Sequence, residues 1–314
     1  IGLTLLTIIV LLIPILISID LRSTPAELPI AEDWARGNVE NHFKGQFQAT
    51  LSQQFPDLPQ DKRDAKVNEQ YERFYNENPS AIESQVSQLA NDYRKNYQNE
   101  DGQTYLLAID PWTFYRTTKN LVESGHVGDY VTEDGQNVND HMLAPNGAGI
   151  TPIFHNYFAS FIYWIVHIFS PSTPLFTVFF YVPVVVSALS VIPAFFLAKR
   201  KGGLIGGFAA GALIAMHTSA LTRTSGGFSD TDAYNLLFPL LISWIFLEAF
   251  EAKSWKKISI LAALAGIVSG IYAKTWPGWW YIFDFLILVL IAFIGYSIIQ
   301  TLVKEKSFKN VFNN

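Results

Sequence analysis

Apolar residues gather along this chain into long unbroken runs, interrupted by one extended polar stretch. A bilayer core about 30 Å thick asks for about 20 apolar residues as α-helix. Six runs meet or approach that length: 1–19, 174–198, 203–220, 233–250, 258–273 and 279–302. A seventh, 154–169, is shorter and is dotted with Tyr157, Tyr163, Trp164 and His167. That composition suits a helix lying in the headgroup region better than one facing lipid tails. The expected fold class is therefore all-α, a polytopic membrane protein of about six spans with a large, helical first loop.

The distribution of Lys and Arg orients these spans, because cytoplasmic flanks collect basic residues. If 154–169 does not cross, then Lys199, Arg200 and Lys201, then Lys253, Lys256 and Lys257, then Lys304, Lys306 and Lys309 all fall on one side. Counting it as a span would set the first of these clusters against the other two. The reading is thus a first transmembrane helix at 1–19, an extracytoplasmic loop over 20–173 with an interfacial or re-entrant helix near 154–169, and a transmembrane bundle over 174–314. The short connections 221–232 and 274–278 then share the extracytoplasmic face with the long loop. Ile1 opens inside an apolar run and Asn314 closes no element, so both ends read as truncations. Residues 1–19 show no basic leader and no small-residue cleavage site before Asp20, which favours a retained helix over a signal peptide.

Inside the polar stretch, Val67, Tyr71, Phe74 and Tyr75 recur at helical spacing, as do Ile82, Val86, Leu89 and Tyr93. Ser80 and Glu83 after Pro79 read as a capping box opening the second of two helices, giving a hairpin around 62–97. Gly and Asn crowd 124–150, which predicts an irregular segment. Composition sharpens the contrast: half of the 314 residues are hydrophobic and only 16% are charged, the balance of a membrane protein. Residues 20–150 hold 21 Asp and Glu against 11 Lys and Arg, a net charge of −10, while the remainder carries +5. An acidic external stretch excludes nucleic acid as a partner. Without any Cys there is neither a disulfide framework nor a thiolate metal site.

Two segments on the expected outer face could carry chemistry. The first is Ile109-Asp110-Pro111-Trp112-Thr113-Phe114-Tyr115-Arg116, where Pro111 starts a helix at its first turn and Asp110 either caps that helix or offers a carboxylate near the membrane surface. The second runs from Arg223 through Thr224-Ser225-Gly226-Gly227-Phe228-Ser229 to Asp230-Thr231-Asp232. Carboxylates at i and i+2 point the same way if the backbone is extended, and can then share one hard cation. Oxygen-only ligands favour Mg²⁺ or Mn²⁺ over Zn²⁺. Gly226 and Gly227 permit a tight turn, and the planar fork of Arg223 suits a phosphate. Ser229 and Asp232 also have capping-box spacing, a plainer role that leaves Asp230 unexplained. Asp284, His217 and Lys274 read as structural or interfacial, Trp276, Trp279 and Trp280 as an aromatic belt, and His155 and His167 as structural.

Taken together, the Asp110 to Arg116 run, the Gly-centred segment at Glu123 to Asp129, and the Arg223 to Asp232 segment before an apolar helix resemble the catalytic subunits of asparagine-linked oligosaccharyltransferases, of the archaeal type. The resemblance covers nearly the whole chain except 20–100. It implies a GT-C membrane glycosyltransferase that moves an oligosaccharide from a dolichyl or other polyprenyl phosphate or diphosphate carrier to Asn in Asn-X-Ser/Thr sequons, with inversion. It further implies that Asp110, Asp230 and Asp232 ligate a divalent metal, Mn²⁺ or Mg²⁺, that Asp110 and Asp230 are catalytic, and that Arg223 contacts the carrier phosphate. Ala108 stands where that family often has Gly or an acid. A later metal-binding Glu and the WWDYG motif are not in these 314 residues, so this stretch is expected to be inactive alone. A different GT-C lipid-linked sugar transferase and a cation-coupled transporter are the competing readings; the intact second segment argues against the first, and the placement of acids in loops against the second.

Overall fold

Runs that are apolar on every face give helices buried in lipid or in one another, and such helices dominate the chain. The structure is a computed structural model that describes residues 2–305; Lys306 and Lys309 lie outside the described residues. The chain forms two units, one made of residues up to Arg22 and from Leu106 onward, the other of Ser23–Tyr105.

The first unit holds α1 (Gly2–Ser23), α5 (Ile109–Ser124), α6 (Phe154–Phe169), α7 (Leu175–Met216), α8 (Thr218–Thr224), α9 (Asp232–Phe250), α10 (Trp255–Ala273) and α11 (Trp280–Glu305). Among the described residues five helices are long and apolar enough to cross a membrane: α1, α7, α9, α10 and α11. One of them, α7, contains two of the expected spans. Gly203 adopts φ 59° and ψ −156° inside it, outside any helical region. The chain doubles back there, for Gly207 lies against the Phe195 ring and Gly211 against Val191. Glycines let the two arms approach closely, as small residues do between membrane helices. The second arm stops at Met216 rather than 220, because His217 turns to an extended ψ of 117° before α8 begins.

Helix α6 has 16 residues, roughly 24 Å at 1.5 Å per residue, short of the hydrocarbon thickness. One face, with His155, Asn156, Ala159 and Ser160, is buried, and Asn156 Nδ2 donates to Thr117 Oγ1 of α5 at 2.8 Å. Tyr157, Phe161, Trp164 and Ile168 form an exposed stripe on the other. The segment between α5 and α6, expected to be irregular, includes a small antiparallel sheet, β1 (Tyr130–Val131), β2 (Asn137–Asn139) and β3 (Ala148–Ile150), in that order. At the far end of the bundle, Arg200 pairs with Glu248 and Glu251, and Lys257 Nζ lies 3.8 Å from Glu248. The basic clusters at 199–201 and 253–257 therefore share one end, and Phe180, beside the loop after α8, is separated from Gly203 by 23 residues of helix, roughly 35 Å.

The second unit contains α2 (Ile30–Gln54), α3 (Gln60–Glu77) and α4 (Pro79–Tyr97). Its core joins Ala31, Ala35 and Val39 of α2 to Ile82, Val86 and Ala90 of α4, with Phe43, Phe74 and Tyr75 packed against them. The expected capping box is replaced by something else. Asn78 is the N-cap and Pro79 takes the first helical position, while Glu83 is drawn away to Arg36, at 2.7 and 2.9 Å, and to the Tyr75 hydroxyl at 3.0 Å. A bidentate charged partner outcompetes a main-chain N–H for that carboxylate.

A side chain at Gly211 would meet Pro14 Cγ at 3.0 Å and Val191 Cγ1 at 3.2 Å, whereas one at Gly202 meets nothing within 4 Å. Gly211→Leu is expected to destabilise the bundle by about 1–3 kcal/mol through overpacking, read as a lowered Tm of the detergent-solubilised protein, with Gly202→Ala leaving Tm unchanged.

Candidate active site

The two chemically interesting segments meet at the end of the first unit away from the basic clusters. Asp110 lies in the first turn of α5, whose N-cap is Ala108, so its carboxylate does not serve as the cap. It is solvent-exposed. Arg223 stands in α8, and Asp230 and Asp232 at the entry to α9. All four line one open cleft of about 630 Å³ together with Thr113, Phe114, Met142, Thr231 and Trp276.

Main-chain bonds hold this arrangement. Gly226 N–H donates to Arg22 O at 2.8 Å and Gly227 N–H to Phe180 O at 3.0 Å. Gly227 O accepts from Leu107 N at 3.0 Å, three residues before Asp110, which ties the two acidic segments together. A Cβ at Gly226 would stand 2.5 Å from Phe180 Cε1, and one at Gly227 2.8 Å from Leu107 Cγ. Gly227 also has φ +87°, so glycine is required there for both space and conformation.

The backbone between the two aspartates is not extended as the spacing argument supposed. Thr231 has φ −87° and ψ −6°, helical values. Asp230 Oδ1 instead accepts the Asp232 N–H at 2.8 Å, a local turn that keeps both carboxylates on the cleft. The plainer capping role also falls away for Ser229, whose Oγ is buried with no hydrogen-bond partner among the described residues. Burial pushes the Asp230 carboxyl up to about 6; the nearby charges of Asp232 and Asp110 push the same way, and the Asp232 N–H and Arg223 pull it back. Asp110, Asp230 and Asp232 all line this cleft, and carboxylate oxygens are the donor type a hard divalent cation takes.

Behind the cleft, His155 is fully buried against Phe114, Phe179 and Tyr234, with its Nδ1 3.1 Å from the Tyr234 hydroxyl. Trp276 faces the cleft rather than only joining an aromatic belt. No spacing rule marks it, since its neighbours Trp279 and Trp280 look the same in sequence.

A second acidic group lies near the small sheet: ligand atoms of Asp129, Asp140 and His141 fall within 4.8 Å of one another. Arg116 already fills it, with Nη2 2.6 Å from Asp129 Oδ2 and 3.1 Å from Asp140 Oδ1. This is an ion-pair knot that fastens the sheet to α5. Burial alone would raise the Asp129 carboxyl, but hydrogen bonds from Asn120, the Asp140 main chain and Arg116 outweigh it and hold the group below its ordinary value.

The model of the family described as oligosaccharyl transferase STT3, N-terminal, matches residues 80–313. The chain is 30% identical over 223 residues to a dolichyl-phosphooligosaccharide-protein glycotransferase of Methanococcus voltae, covering 67% of this chain and 24% of that protein. It is 29% identical over 135 residues to an undecaprenyl-diphosphooligosaccharide–protein glycotransferase of Campylobacter jejuni, covering 42% of this chain and 17% of that one. The crystal structure of an Archaeoglobus fulgidus oligosaccharyltransferase in complex with Zn and sulfate superposes with a TM-score of 0.50 at 21% identity, over 63% of this chain and 24% of its own, a likeness of fold. The chain thus spans about a quarter of the length of the Methanococcus relative.

A carboxylate with a depressed pKa stabilises the fold above its unfolded pKa and loses that contribution as pH falls through its folded one. Amide exchange over residues 128–141 should therefore accelerate as pH is lowered below the usual carboxylate range, after correction for intrinsic rates, and Asp129→Asn should show the fast exchange already at neutral pH.

Proposed function

Because the chain belongs to the oligosaccharyl transferase STT3 family, we propose that it is the N-terminal part of an archaeal-type enzyme that transfers an oligosaccharide from a polyprenyl phosphate or diphosphate carrier, dolichyl in kind, to the side-chain amide of Asn in Asn-X-Ser/Thr. The observation that carries this reading is the gathering of Asp110, Arg223, Asp230 and Asp232 on one cleft, at the end of the bundle away from the basic clusters. By the positive-inside rule that end is extracytoplasmic, so the reaction takes place on the outer face of the cell membrane.

In this reading Asp110, Asp230 and Asp232 would hold Mn²⁺ or Mg²⁺, which would supply Lewis-acid stabilisation of charge on the carrier phosphate. Arg223 presents its planar guanidinium to that phosphate and orients the donor. An amide nitrogen is a poor nucleophile because its lone pair is delocalised into the carbonyl. Asp110, exposed at the front of the cleft, accepts a hydrogen bond from the amide N–H and turns the nitrogen toward the anomeric carbon. The new C–N bond forms as the bond to the carrier oxygen breaks, with inversion, and the amide proton leaves to a carboxylate. Trp276 closes one wall with an apolar surface and limits water, a competing nucleophile.

The test is transfer of lipid-linked glycan to a sequon peptide by membranes carrying the complete polypeptide. Activity should require a divalent cation and be lost with EDTA, and Asp230→Ala should lower it by about 10²-fold or more, the scale expected when a charge-stabilising group is removed. Absence of transfer by the complete wild-type protein with cation present would sink the reading.

A proton on Asp230 competes with a cation for the same oxygens. With that carboxyl at about 6, Mn²⁺ affinity should be full at pH 7.5 and fall as pH drops below 6. Asp230→Asn should remove both the affinity and its pH dependence in a Mn²⁺ titration followed by electron paramagnetic resonance.

A further inference from the structure

Helix α1 is thinly packed: its buried residues are Thr7, Pro14, Ser18 and Arg22. Arg22 is 0% exposed, the largest of the fully buried side chains. An ionisable residue at the end of a membrane helix with no water around it calls for a functional explanation. Neutral oxygens meet its guanidinium. Nη1 donates to Ala215 O at 2.7 Å and to Ser18 Oγ at 3.0 Å, Nη2 to Ile214 O at 3.2 Å, and Nε to Thr224 Oγ1 at 2.9 Å.

These partners are not scattered. Ile214 and Ala215 supply carbonyls of the last turn of α7, which have no acceptor role left within that helix and carry its negative dipole end. Thr224 is the last residue of α8. One guanidinium therefore grips the chain on both sides of a seven-residue helix, and the carbonyl of the same residue takes the Gly226 N–H just beyond it. Arg223 rides on that helix, next to Thr224, with its own side chain free to face the cleft. A helix so short has little stability of its own, so its direction is set by what holds its ends.

We propose that Arg22 is a positioning residue for carrier binding: by fixing both ends of α8 it presents Arg223 to the phosphate in a single prearranged pose. This rests on the reading of Arg223 as the phosphate contact. Arg22 does not touch the carrier. Without it the pose of Arg223 must be ordered at the moment of binding, and affinity falls by the fraction of time the pose is populated.

The experiment measures binding of farnesyl phosphate to the complete detergent-solubilised protein by isothermal titration calorimetry, beside KM and kcat for lipid-linked donor. Thr224→Val removes the single hydroxyl that ties Arg22 to α8 and spares the bonds to α7; Arg22→Met removes them all. Each is expected to weaken farnesyl phosphate binding about tenfold, the effect of one charge-assisted hydrogen bond, and to raise KM for donor more than it lowers kcat. Added to Arg223→Ala, either change should cost nothing further, since its effect runs through that arginine. Affinity unchanged in Thr224→Val, losses that multiply with Arg223→Ala, or no saturable binding by wild type would each overturn the proposal; if Arg22→Met fails to fold, Thr224→Val still decides. Wild-type protein that binds farnesyl phosphate in this pattern yet transfers no glycan would refute the transferase reading and leave the role of Arg22 standing.

Discussion

The site depends on a loop with no room for side chains. Between α8 and α9 the main chain passes so close to Phe180 and Leu107 that two consecutive glycines are needed, and the space they free is used for hydrogen bonds to three separate parts of the unit. Gly226 binds the end of α1, while Gly227 binds α7 through its N–H and the approach to α5 through its carbonyl. Asp110, Arg223, Asp230 and Asp232 each stand within a few positions of one of these bonds. The carboxylates that repel one another are thereby kept together by backbone rather than by their own contacts.

That repulsion is visible in the Asp230 carboxyl, raised to about 6 first by burial and then by Asp232 and Asp110. A site arranged this way is held in a costly charge state that a cation would relieve. At Asp129 the balance runs the other way: hydrogen bonds from Asn120, then the Asp140 main chain, then Arg116 overcome burial and hold the carboxyl below its ordinary value. Similar residue types end with opposite shifts, because hydrogen bonds to the carboxylate outweigh burial at Asp129 while burial outweighs the Asp232 N–H and Arg223 at Asp230.

Much of this was legible in the sequence. Hydropathy marks the long apolar helices, and Asp110, Arg223, Asp230 and Asp232 stand out in two short segments that the structure brings to one cleft. Other features left no local trace. The 25-residue α2 has a weak apolar pattern because its buried face is mostly Ala31, Ala35 and Val39, residues too small to mark a stripe. Gly203 reads as one glycine among many, yet it turns α7 into a hairpin. Glu83 matched a capping pattern but found a stronger partner 47 positions away in Arg36. Arg22 matters through Ile214, Ala215 and Thr224 and Trp276 through a cleft it shares with Asp110 and Arg223, neighbours that no window along the chain can see.

The grip of Arg22 on Thr224 spans 202 positions, and this has a bearing on how the protein is made. Helix α1 leaves the ribosome before α7 and α8, carrying a guanidinium whose eventual partners at Ile214, Ala215 and Thr224 have not yet been synthesised. A charge in that state is stable only at the aqueous rim of the bilayer, with its stem lying along the lipid. Helix α1 must therefore wait at a shallow depth until α7 and α8 arrive, so that completion of the cleft and final seating of α1 become a single late step of biogenesis.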